Sequence, residues 1–252
     1  VNGAPAACRY LTARLDDVPR SLAWLAPGEG AALAWLSSRE RAALDRLHVA
    51  KRRQDWLLGR WTAKQAVAAV LAATDGARPP LRAIEILAAP DGAPEVFVGT
   101  VASPCAISIS HRAGRALCAV VPRGVAVGCD VEHVEPRDEA LVDDFFAPDE
   151  AATVRRREGR ARDLLVALVW SAKESALKLL REGLRLDTRS ARVEVGEASL
   201  AGEDWRSLSV RCDGLADVVT GWWRTSGDDV LTVVTGAPGA PPEEITVAEA
   251  GR

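Results

Sequence analysis

The chain has 252 residues, 48% of them hydrophobic and 27% charged, with a formal net charge of -3. That composition suits a globular protein with a sizeable core, and the slightly negative balance argues against general nucleic-acid or membrane-surface binding. Five cysteines, an odd number with no C-x-x-C spacing, argue against a disulfide framework or a zinc knuckle and are expected as reduced, buried thiols.

In chain order, a strand-like run from Cys8 to Leu15 comes first, then helical periodicity from Ser38 to Leu47 and from about Arg53 to Ala73. Short runs rich in Ile, Val and Phe follow as strands: Arg82 to Leu87, Glu95 to Val98, Ala106 to Ser110 and Ala116 to Val121. Pro122-Arg123-Gly124 punctuates the chain. Beyond it come a strand from Val125 to Glu132 and helices near Asp138 to Phe145, Pro148 to Arg157 and Ala161 to Arg181. Four strands complete the pattern: Arg192 to Val195, Ser207 to Arg211, Val218 to Arg224 and Val230 to Thr235. These divide the chain into an N-terminal α/β half over 1–122, a C-terminal α/β half over 123–236 and a flexible Gly/Pro-rich tail over 237–252. The longest apolar run, Leu164 to Trp170, is far shorter than the ~20 residues of a membrane helix, and no signal pattern opens the chain. A cytoplasmic protein is expected.

Trp61 to Leu71, "WTAKQAVAAVL", aligns without a gap on Trp170 to Leu180, "WSAKESALKLL", which suggests two related halves. Only the second copy carries a charged pair: Glu174 stands where the first has Gln65, and Lys178 where it has Ala69. Among 32 basic residues the lysines are Lys51, Lys64, Lys173 and Lys178, all within two segments, "KRRQDWLLGRWTAK" and "WSAKESALK".

In the strand "VGCDVEH", alternation points Asp130 and Glu132 to one side, roughly 6.5 to 7 Å apart at Cα, and leaves Cys129 and Val131 for the core. On the long helix, Trp170, Glu174 and Lys178 share a face opposite Leu165, Val169, Ala172 and Ala176. Three carboxylates from a strand and a helix offer oxygen ligands to a hard cation such as Mg²⁺. In "ISISH", Ser108 and Ser110 are expected to face outward, with His111 leaving the strand end as a donor to phosphate oxygens. Arg53 and Arg60, seven residues apart, share a helix face whose guanidinium groups can hold a phosphate.

Together these segments resemble the 4'-phosphopantetheinyl transferases of the surfactin type. The resemblance runs from about Ser37 to Leu186 through Gly59-Arg60, "SISH" at Ser108 to His111, "VGCDVE" at Val127 to Glu132, Phe145-Phe146, "WSAKESALK" and the segment Glu182-Gly183-Leu184. It implies an α+β fold of two pseudo-symmetric halves, each a small, mostly antiparallel sheet packed on a long helix, with the active site between them. It also implies transfer of 4'-phosphopantetheine from coenzyme A to a serine of an apo acyl or peptidyl carrier protein, releasing adenosine 3',5'-bisphosphate, by a monomer serving secondary metabolite biosynthesis.

Carried onto this chain, the resemblance makes Asp130, Glu132 and Glu174 the Mg²⁺ ligands and places Lys173 and Lys178 near the pyrophosphate. It assigns Ser110, His111, Arg53, Arg60 and Lys51 to coenzyme phosphates, and makes Glu174, with Lys178 and Asp130, the catalytic group. The chain departs from the family pattern at Ala93, where members carry Lys, and at Ser108, where they carry Asn. The alternative within the same fold is a catalytically inactive module that binds coenzyme A or a carrier. An acyl-serine enzyme built on Ser175-x-x-Lys178 lacks its partner motifs, and no lysine follows a glycine as a P-loop requires.

Overall fold

The structure is a computed structural model that describes residues 7–17, 33–181, 186–196, 203–212 and 218–246. It is α+β and divides into two compact units, one running Arg9–Gly124 with Glu243–Arg252 and the other Val125–Pro242 with Val1–Cys8. Among the described residues no helix is long and apolar enough to cross a membrane. The segment Glu182-Gly183-Leu184 lies outside the described residues.

The first unit contains β1 (Arg9–Arg14), α1 (Ser38–Asp45), α2 (Ala50–Asp75), β2 (Ile84–Ala88), β3 (Pro94–Val98), β4 (Val101–Ala102), β5 (Cys105–Arg112) and β6 (Arg115–Pro122). Ser37 starts α1 with a capping box, its hydroxyl accepting from the Glu40 amide while the Glu40 carboxylate accepts from the Ser37 amide. The 26-residue α2 is rich in Ala and Leu, good helix formers, and ends at Gly76, whose φ of 74° is left-handed. Its small buried face, Ala63, Ala66, Val67 and Ala68, packs with Ile107, Cys118 and Val120 of the sheet and with Ile84, Ile86 and Val96 of the β2-β3-β4 sheet. The larger sheet runs β12-β1-β6-β5, where β12 (Glu243–Glu244) pairs parallel with Arg9 and Tyr10. Ile245, 8% exposed, joins the same core, so this part of the expected tail is built into the unit.

The second unit contains β7 (Val127–His133), α3 (Glu139–Phe145), α4 (Pro148–Arg155), α5 (Gly159–Leu179), β8 (Ala191–Val195), β9 (Arg206–Cys212), β10 (Val219–Ser226) and β11 (Asp229–Thr235). The five strands form one antiparallel sheet in the order β7-β11-β10-β9-β8. One face of α5, with Leu168, Ala172 and Ala176, packs on Leu208, Val210, Trp223, Val230 and Val234 of that sheet.

α5 comes close to the sheet backbone at Gly128: a Cβ there would lie 1.8 Å from the Ser175 carbonyl oxygen. Gly128, Asp130 and Glu132 share a face of β7. The acids therefore line the side that α5 covers, and Cys129 and Val131, at 0% and 1% exposure, are buried on the opposite side. Cys129 and Val131 are in the core as expected, and the acidic face is buried as well.

Candidate active site

β7 and β11 pair in a register that sets Asp130 opposite Thr232 and Glu132 opposite Val230. Thr232 fixes α5 on this part of the sheet. Its hydroxyl donates to the Ser171 carbonyl at 3.0 Å and lies 2.8 Å from Ser171 Oγ and 2.7 Å from Ser175 Oγ. These buried hydroxyls, with the absent side chain at Gly128, bring the outer edge of α5 down to the strand acids.

There the Lys178 ammonium donates to Asp130 Oδ1 at 2.7 Å and to the Cys129 carbonyl at 3.1 Å. Burial pulls Lys178 down, but the Asp130 carboxylate and its neighbours outweigh it and hold the ammonium above its ordinary range. Arg137 Nη2 donates to Glu132 Oε2 at 2.9 Å and also meets Glu135 at 3.0 Å. Glu174, half-buried, is raised above the usual carboxylate range, mainly by burial and also by the Asp130 charge, against the pull of Lys178. Strand and helix thus place Asp130, Glu174 and Lys178 within one electrostatic neighbourhood. Asp130 with 4% and Glu132 with 8% exposure are buried charges held by specific cations.

Asp130, Glu132 and Glu174 offer carboxylate oxygen, the donor chemistry of a hard divalent cation. In the arrangement present, Lys178 and Arg137 take the cationic positions, and among the described residues no three His, Cys, Asp or Glu side chains are placed to hold a metal. His133 lies outside the group, its Nδ1 2.9 Å from Asp229 Oδ1.

Lys173 is turned elsewhere. Its side chain is fully buried, and its ammonium meets Glu150 Oε2 at 2.7 Å and donates to the carbonyls of Thr188, at 2.9 Å, and Ala191. Phe145 packs edge-on against Trp170, centroids 5.1 Å apart, and Phe146 is buried beside the Lys173 ammonium.

In the first unit, the two motifs Gly59-Arg60 and "SISH" meet: a Cβ on Gly59 would lie 3.3 Å from Ile109 Cγ2 and 3.5 Å from His111 Cδ2. Ser108 and Ser110 are buried rather than outward-facing, because both faces of β5 are covered, while His111 at the strand end is exposed. Arg60 stacks over the Trp56 ring at 4.9 Å, and burial lowers its guanidinium against the nearby charge of Glu40. Arg53 Nη1 donates to the carbonyls of Leu44 and Leu47, at 2.6 and 3.2 Å, closing the end of α1. Lys51 is exposed and paired with Asp55 at 2.8 Å. Arg53 and Arg60 therefore have different neighbours despite their seven-residue spacing.

Three contributors were not read from the sequence: Arg137, Thr232 and Glu150. Arg137 sits in a loop with no periodicity, and Thr232 reads as one more strand residue. Glu150, three residues after a helix-opening position, carries the capping signal that could have marked it.

No curated protein matches the chain. Residues 126–216, the stretch that carries Asp130, Glu132, Glu174 and Lys178, match the family model described as the 4'-phosphopantetheinyl transferase superfamily.

Proposed function

We propose that this chain is a transferase of the surfactin type, moving 4'-phosphopantetheine from coenzyme A to a serine hydroxyl of an acyl or peptidyl carrier protein. The observation that carries this reading is the Asp130, Glu174 and Lys178 neighbourhood lying within the stretch that matches the family model.

In the reaction, the serine Oγ bonds to the pantetheine-side phosphorus of the pyrophosphate. The bond from that phosphorus to the bridging oxygen breaks, and its electron pair leaves with adenosine 3',5'-bisphosphate. Glu174 accepts the serine proton. Lys178, held at Asp130, supplies positive charge against the leaving phosphate. To hold Mg²⁺, Asp130, Glu132 and Glu174 would have to turn from Lys178 and Arg137 toward it, and the ion would then supply further charge neutralisation to the transferring and leaving phosphates. Ser110, His111, Arg53, Arg60 and Lys51 are the proposed contacts to the coenzyme phosphates.

The test is mass spectrometry of apo carrier proteins incubated with the chain, coenzyme A and Mg²⁺. Addition of a phosphopantetheine mass is expected with wild type. Glu174→Gln, which removes the base and a half-buried charge, is expected to abolish transfer while raising stability by about 0.5–2 kcal/mol. Transfer at the wild-type rate by Glu174→Gln would refute the assignment, and coenzyme binding without transfer by wild type would favour a binding module.

A further inference from the structure

The two units contain the same buried device. In the first, Lys64 on α2 is 0% exposed and its ammonium donates to the Glu40 carboxylate, to the Trp35 carbonyl at 2.9 Å and to the Leu81 carbonyl at 3.2 Å. Glu40, the third residue of α1, accepts from the Ser37 amide at 2.9 Å and, through Oε1, from the Ile86 amide of β2 at 3.1 Å. In the second, Lys173 on α5 is also 0% exposed and donates to Glu150 and to the Thr188 and Ala191 carbonyls. Glu150, the third residue of α4, accepts from the Ala147 amide at 2.8 Å and, through Oε1, from the Val193 amide of β8 at 2.7 Å.

The correspondence extends to the surroundings. Each ammonium lies over an aromatic ring preceding the short helix, Trp35 at 5.4 Å and Phe146 at 5.9 Å. Each also reaches a carbonyl of a single 3-10 turn, Leu81–Ala83 or Thr188–Ser190, that leads directly into the strand receiving the Glu. Lys64 and Lys173 are the aligned lysines of the two "W-x-A-K" copies.

An ammonium has three donors, and at Lys173 Glu150 and two carbonyls use them all. None remains for a phosphate. The same device persists in the first unit, where the following residue is Gln65 and accepts from Arg78 instead of facing Asp130. A group retained in both copies, when the acid next to it is present in only one, serves what the copies share: the seating of a long helix on its short helix and strand.

We infer that Lys173, locked to Glu150, is a positioning residue that sets the rotation and height of α5, and so the presentation of Glu174 and Lys178, and that it does not contact coenzyme A. This rests on the proposed transfer only for its catalytic consequence. The lock itself is independent of it.

The experiment compares Lys173→Met, Lys173→Met with Glu150→Gln, and Lys64→Met, each by thermal melting, coenzyme A calorimetry and transfer kinetics. Lys173→Met strands the buried Glu150 charge and is expected to lower Tm by on the order of 10 °C, as is Lys64→Met at Glu40. Adding Glu150→Gln removes that charge while keeping a carbonyl acceptor for one of the Ala147 and Val193 amides, and is expected to recover at least half of the loss.

In transfer, Lys173→Met is expected to lower kcat tenfold or more with the KM and Kd for coenzyme A within twofold of wild type, the double variant regaining most of the kcat. Lys64→Met is expected to keep wild-type kcat per folded molecule. A tenfold rise in the coenzyme KM or Kd on Lys173→Met, unrelieved by Glu150→Gln, would make Lys173 a coenzyme ligand and overturn the inference. So would melting unchanged in both single variants. If wild type transfers nothing, the functional proposal fails, while the melting series still decides whether the lock exists.

Discussion

Gly128→Ala tests how the site is assembled. A Cβ at this position would stand 1.8 Å from the Ser175 carbonyl oxygen and 2.8 Å from the Leu179 amide nitrogen, both backbone atoms of α5 that no rotamer change can move. Ordinary contact requires α5 to retreat by roughly 1.6 Å at Ser175. Such a retreat carries the Ser171 and Ser175 hydroxyls out of reach of Thr232, now 2.8 and 2.7 Å away. Overpacking costs about 1–3 kcal/mol and each lost buried hydrogen bond about 1 kcal/mol, so the variant should lose about 3–5 kcal/mol. Against a typical stability of about 5–15 kcal/mol that is a large fraction, read as a lower urea midpoint with unchanged m. Lys178 and Glu174 ride on the same helix, so transfer should fall by about 100-fold, as for an ångström-scale misplacement. Gly196→Ala, where a Cβ meets open space, is the control and should be neutral. A Gly128→Ala protein with wild-type midpoint and transfer rate would show that α5 does not rest on the strand as described.

Ending the chain after Pro242 removes the Arg9↔Glu243 and Tyr10↔Glu244 pairing, the 2.8 Å Ile245 amide bond to the Tyr10 carbonyl and the buried Ile245 side chain. It should destabilise the first unit by about 3 kcal/mol, and a denaturation curve superimposable on the full chain would refute the clasp. Burial, helped by nearby Cys129, pushes the Cys8 thiol up to about 12, so it should resist a thiol reagent at pH 8 until the protein is unfolded. From pH 9 toward 12 the unfolded thiol ionises while the folded one stays protonated. Stability relative to Cys8→Ala should therefore be intact below pH 9 and fall by about 1.4 kcal/mol per pH unit above it. A flat difference would show that Cys8 ionises equally in both states.

The elements were largely legible because their signals are local. The Ala-rich repeat of α2 and the apolar face of α5 carry the helical period, and the Val/Ile runs between Gly and Pro mark the strands. The missing pieces are those that only the tertiary fold creates. β4 is two residues long, and β12 is a Glu-Glu pair with poor strand propensity that becomes a strand because Arg9 and Tyr10 offer it an edge. No feature near Glu243 in the sequence announces a partner more than 230 positions away.

At the site, alternation correctly put Asp130 and Glu132 on one side of β7 but could not say which side the helix would cover. The deciding residue was within the quoted strand. Gly128 shares the face of the two acids, and a glycine inside a strand marks a place where another backbone comes close. Once α5 is seated on Gly128 at Ser175 and Leu179, the next residue on that face, Asp130, lies within reach of the Lys178 ammonium, which donates to it. A hydrophobic residue at 128 would have held the helix away and left the acids facing an open gap. The glycine and the lysine are therefore two parts of one requirement: a buried carboxylate on a strand needs a cation delivered from the covering helix, and the helix can deliver it only where the strand has no side chain to keep it off.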